Sequence, residues 1–101
     1  MTSQIIYKGD LRTIATHLQS GTSIETDAPT DNQGKGERFS PTDLVATALG
    51  TCMVTTMAIK ARTQNINLEG TRLDVTKIMV SDPRRIGKII VHVFATFFRN
   101  I

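Results

Sequence analysis

The chain contains one cysteine, three prolines and few aromatic residues in 101 positions. A lone thiol excludes an internal disulfide framework and fits a reducing, cytoplasmic compartment. His17 and His92 are far apart, and no Cys/His or His/His pair has metal-ligand spacing, so no metal and no cofactor are expected. A phosphate loop is missing too, because Asn32-Gln33-Gly34-Lys35-Gly36 has glycine where Ser or Thr must follow the lysine. Met1–Lys8 has neither the basic stretch nor the long apolar region of a signal peptide. The longest charge-free apolar run, Leu44–Ile59, is interrupted by Thr47, Gly50, Thr51, Thr55 and Thr56. It falls short of the roughly 20 apolar residues a membrane span needs, so a soluble protein without a membrane partner is expected. Excess charge is small at +3. Arg84, Arg85 and Lys88 make the only basic cluster, and no aromatic is interleaved with it. That reads as a solvated turn, not a nucleic-acid surface.

What is present is ordinary in bulk: 40% hydrophobic and 21% charged residues, enough for one small domain over residues 1–101. Ile5 to Leu18 is β-compatible and is interrupted by Gly9-Asp10 as a turn or bulge. Ser20-Gly21 then turns into a strand over Thr22–Thr26, giving an N-terminal antiparallel hairpin. Asp27 to Phe39 is rich in turn formers and charges. A loop of that length within a small domain is usually functional or mobile.

Ser40-Pro41-Thr42-Asp43 is a helix start: serine as N-cap, proline at the first helical position, and an acid able to return a bond to the cap. Phe39 is placed as a hydrophobic staple onto Leu44. The helix is expected to run from Pro41 to about Thr63. Its faces are apolar or small all round as far as Ile59, which predicts a long buried central helix. Three or four short strands cannot wrap it, so a partner chain is expected to supply cover. Asn65-Ile66-Asn67 ends the helix. A second hairpin follows, Thr71–Val80 and Ile86–Phe98 around Ser81-Asp82-Pro83. The class is α+β. The chain stops at Phe97-Phe98-Arg99-Asn100-Ile101 without a polar tail, which reads as a shortened C-terminus.

Three residues are candidates for chemistry. Cys52 lies about three turns into the helix, too far along for the helix's positive end to activate it. It is either an inert small hydrophobe or a thiolate activated by a cation from another segment. Arg12, on a strand, is that cation or else a plain exposed arginine; a guanidinium can stabilise a thiolate and hold an oxygen anion. Asp43 is a cap, or orients Arg12 across a symmetric interface. Pairing of Cys52 with a histidine stays open.

Phe39-Ser40-Pro41-Thr42-Asp43-Leu44 together with Ala48-Leu49-Gly50-Thr51-Cys52 resembles the pattern S-P-T-E-L-L-x-x-A-L-G-S-C of the OsmC/Ohr family, the osmotically inducible and organic-hydroperoxide-resistance proteins. Leu68-Glu69-Gly70 and Asp82-Pro83-Arg84-Arg85-Ile86 agree with it, and the resemblance covers nearly the whole chain. It implies an intertwined homodimer with the helix between sheets and active sites at the subunit interface. It further implies thiol-dependent reduction of small organic hydroperoxides, with Cys52 as the attacked thiol and Arg12 as the catalytic arginine. Two departures stand out. Thr42 occupies the place of the family's catalytic glutamate, with Asp43 as the neighbouring acid. The resolving cysteine, which the family carries in a C-terminal segment, typically within a C-P-V motif on a later helix, has no counterpart, and the family's C-terminal helix and strand are lacking with it, so turnover would need an external thiol reductant. The alternative is a non-enzymatic dimeric protein that binds a small apolar ligand, or an inactive shortened relative.

Overall fold

Three antiparallel strands open the chain, β1 (Ser3–Gly9), β2 (Arg12–His17) and β3 (Ser23–Asp27), in the order β1-β2-β3. The N-terminal hairpin expected from the sequence is thus a three-stranded meander. Gly9, Asp10 and Leu11 all take positive φ, so the Gly9-Asp10 interruption is a true chain reversal. The Leu11 N–H donates to the Tyr7 hydroxyl at 3.2 Å across this turn. The register of β2 against β3 runs from Thr16↔Ser23 to Arg12↔Asp27.

The 27–38 segment is fastened at its base: the Asp27 N–H donates to the Phe39 carbonyl and the Ala28 N–H to the Leu11 carbonyl, each at 3.1 Å. A single 3-10 turn, Thr30–Asn32, lies within it. Gly34 is required there, since a Cβ would fall 1.7 Å from the Ala28 carbonyl oxygen.

The computed structural model describes residues 1–99; Asn100 and Ile101, the end of the C-terminal run noted above, lie outside the described residues. The chain divides into two units, Met1–Leu44 and Val45–Ile101. Helix α1 (Pro41–Arg62) starts in the first and continues in the second. Its start is the expected capping box. The Asp43 N–H donates to Ser40 Oγ and the Ser40 N–H donates to Asp43 Oδ2, both at 3.0 Å. Lys60 and Arg62 stand in the last turn, where cations favour the C-terminal end. Asn65 then takes a left-handed conformation and the helix stops.

In the second unit β5 (Arg72–Val80) and β6 (Arg85–Phe94) form the expected hairpin. β6 ends four residues earlier than the sequence suggested. The chain beyond it returns as β7 (Phe98–Arg99) to pair with β4 (Ile66–Asn67), just after the helix. β5 alternates, with Leu73, Val75, Lys77 and Met79 half-buried on one face. Gly50 brings the helix onto that face: a Cβ at residue 50 would sit 3.0 Å from Val75 Cγ2.

Little of the helix is covered by its own chain. Ala46 and Gly50 are its buried residues, while Val45, Leu49, Met57 and Ile59 are exposed. By length and composition alone the 22-residue helix is apolar enough to cross a membrane, a test that the shorter Leu44–Ile59 run does not meet.

Candidate functional site

The first unit assembles a charged site that begins with Arg12. Arg12 opens β2 and Asp27 closes β3, and the antiparallel register sets them directly opposite. The pair is bidentate: Arg12 Nε donates to Asp27 Oδ1 at 2.7 Å and Nη2 to Oδ2 at 2.9 Å. Nη2 also donates to Glu37 Oε1 at 3.0 Å. The backbone N–H of Glu37 donates to Asp27 Oδ2 at 3.1 Å, so the loop before the helix closes onto the same carboxylate. Asp27 is fully buried and Arg12 nearly four-fifths so, whereas the Glu37 side chain is 60% exposed. Arg12 Nη1 carries no hydrogen bond among the described residues.

Electrostatics follow the geometry. The hydrogen bonds from Arg12 hold the Asp27 carboxyl below its ordinary range, against the opposing effect of burial, with the guanidinium charge and the Glu37 N–H adding to the lowering. The same hydrogen bonds raise the Arg12 guanidinium above its ordinary value. Arg12 is therefore a permanent cation, held by a carboxylate that is ionised at neutral pH. A second pair, Arg38 Nε to Glu25 Oε1 at 3.2 Å, lies on the neighbouring stretch of β3.

Of the other candidates, Asp43 lies in the capping box, its carboxylate accepting from the Ser40 N–H. Thr42 Oγ1 is 3.2 Å from Ser40 Oγ. Cys52 belongs to the second unit and its thiol is free and exposed. It shares a helix face with Val45, Leu49, Thr56 and Ile59, at spacings of three and four residues. His17 is occupied locally, its Nδ1 2.6 Å from Ser20 Oγ in the turn before β3. No cluster of three or more His, Cys, Asp or Glu able to hold a metal ion occurs among the described residues.

Asp27 and Glu37 are the members of the site that sequence reasoning passed over. A signal for Asp27 existed. With the turn at Ser20-Gly21, Ala15 faces Ile24, and three further steps along the same register place Arg12 against Asp27. Ending the strand at Thr26 hid it. Glu37 has no such signal, because a loop carries it back.

The chain is thus α+β, with a capped central helix that bears the one thiol in the second unit and a guanidinium locked to a buried carboxylate in the first. The family model described as OsmC-like protein matches residues 34–97. The chain is also similar to the crystal structure of an osmotic stress induced and detoxification response protein from Psychrobacter arcticus 273-4. The two share 55% identity at a TM-score of 0.88, over 100% of this chain and 72% of the other. No curated protein matches. The chain belongs to the OsmC-like family.

Proposed function

We propose that this protein reduces small organic hydroperoxides through Cys52, within the stress and detoxification role that the name of its Psychrobacter relative describes. The observation that carries the reading is the match of the family over the capped helix, which holds the chain's one thiol; a guanidinium fixed by a bidentate pair within the first unit adds to it. The Cys52 thiolate attacks the terminal peroxide oxygen. An S–O bond forms, the O–O bond breaks, and the departing alkoxide takes a proton to leave as an alcohol. The sulfur, oxidised by two electrons, becomes a sulfenic acid. Arg12 stabilises the thiolate and the oxygen that leaves. An external thiol then condenses with the sulfenic acid, releasing water and giving a mixed disulfide, and a second thiol frees Cys52. The whole cycle consumes one peroxide and two thiols.

The working unit in this reading is a homodimer in the cytoplasm. Support comes from the exposed apolar face of α1 and from β1, whose Ile5, Ile6 and Tyr7 are more than 60% exposed. Asp43 either acts as the helix cap or crosses the interface to orient Arg12. A second reading, a dimeric protein that binds a small apolar ligand, is favoured by an open groove of about 460 Å³ bordered by Met57, Ile66, Leu68 and Phe97.

The test is direct. On addition of cumene hydroperoxide, intact mass is expected to show one added oxygen atom, mapped to Cys52, and Cys52→Ser is expected to abolish peroxide consumption with dithiothreitol. Undiminished consumption by Cys52→Ser rules out the peroxidase reading. Ligand-dependent stabilisation that survives the same substitution favours the second.

A further inference from the structure

The two carboxylates on Arg12 are not equivalent. Asp27 is wholly buried, accepts from two guanidinium nitrogens, and accepts the Glu37 N–H as well. It comes from the strand directly opposite Arg12, so the sheet itself holds it in place. Glu37 makes one bond through Oε1, from an exposed side chain on an irregular segment. An exposed single-contact pair contributes little stability and exchanges readily with solvent, whereas removing a partner from a buried pair leaves an uncompensated charge. The Glu37 backbone N–H, not its carboxylate, ties the loop to Asp27. The carboxylate can therefore leave without undoing the loop.

We propose that Asp27 and Glu37 divide the holding of Arg12: Asp27 is a permanent positioning residue, and Glu37 is a resident stand-in anion that departs when a small incoming anion binds the guanidinium. The Nη1 edge and the place vacated by Glu37 together give a two-nitrogen face, the geometry suited to a thiolate or a peroxide oxygen. The role rests on the hydroperoxide reading for its natural anion. The division of labour stands on the geometry of the first unit alone. Glu37 on this account keeps other anions off Arg12 in the resting protein, and Asp27 makes the guanidinium available in one orientation.

The experiment follows the Arg12 Nε–H signal by nitrogen-15 NMR in the full chain, with acetate as the anion probe because it replaces the carboxylate of Glu37. Glu37→Ala keeps the backbone N–H on Asp27 and removes only the stand-in. Acetate is expected to shift the Arg12 signal at concentrations three- to tenfold lower in Glu37→Ala than in the unaltered protein. Asp27→Asn, near-isosteric with the native side chain, is expected to speed exchange of the Nε–H at least tenfold while thermal melting stays cooperative. Hydroperoxide kinetics separate the two readings. Glu37→Ala is expected to lower KM several-fold with kcat little changed, and Asp27→Asn to lower kcat. Equal acetate titrations with and without Glu37 overturn the stand-in role, and an Nε–H that stays protected in Asp27→Asn overturns the positioning role. If the unaltered protein consumes no peroxide yet both NMR results hold, the hydroperoxide function fails and the cradle stands.

Discussion

At the scale of single residues, the contrast between Arg12 and Cys52 governs what each can be asked to do. Arg12 is bound on two nitrogens and stays charged across the accessible pH range, while Cys52 is an open thiol on a helix face. Asp27 carries the pH dependence of the pair. Its carboxyl is held below the ordinary range, so its contribution to stability is complete above about pH 4 and is lost only as pH falls through the lowered value. The stability gap between the native protein and Asp27→Asn is therefore expected to be flat from neutral pH to about pH 4 and to close below it. Urea denaturation across a pH series reads this. A gap that has closed by about pH 5 contradicts the lowered carboxyl. Arg12 and Cys52 stand out in the sequence because each is chemically conspicuous in its surroundings. Asp27 does not, because its partner lies 15 positions away and meets it only through the strand register.

Among the elements, the helix start was the most readable, because a capping box is a local code: Ser40 and Asp43 lie within one turn, and the side chain of each accepts the other's backbone N–H. Ser40→Ala is expected to cost about 1 kcal/mol, measured as a lower urea midpoint with unchanged slope. Gly50, within the Ala48–Cys52 motif, also has a packing reason, since the helix meets Val75 there. Gly50→Val is expected to destabilise by about 1–3 kcal/mol through overpacking. A stability equal to or above that of the native protein would show that β5 yields to the added side chain. Less readable was the division of Ile5–Leu18 into β1 and β2. Gly9-Asp10 looks the same in sequence whether it is a bulge or a reversal, and only the positive φ of Gly9, Asp10 and Leu11 decides. The early end of β6 was hidden too, because Phe97 and Phe98 are as strand-compatible as the residues before them, and it is pairing with β4 that claims Phe98.

For the molecule as a whole, the informative quantity is how little one chain conceals. Ala46 is the buried hydrophobic residue among those described, and Val45, Leu49, Met57 and Ile59 of the helix stay exposed. The apolar character of every helix face signalled that cover was needed, but a sequence cannot say how much of it the chain's own strands supply. If a second copy supplies it, light scattering is expected to give twice the chain mass, and the melting temperature is expected to rise with protein concentration. Leu49→Lys, placing a charge on the face of α1 that holds Val45 and Ile59, is expected to shift the mass to that of one chain and to remove the concentration dependence. A monomeric native protein with a concentration-independent melt would overturn the homodimer.

The Tyr7 hydroxyl that receives the Leu11 N–H has a practical corollary. With one tyrosine and no tryptophan in the chain, near-ultraviolet emission comes from a single phenol, bonded to the residue next to Arg12. The protein carries its own optical probe at the bend leading into the guanidinium, and events there can be followed without attaching a dye.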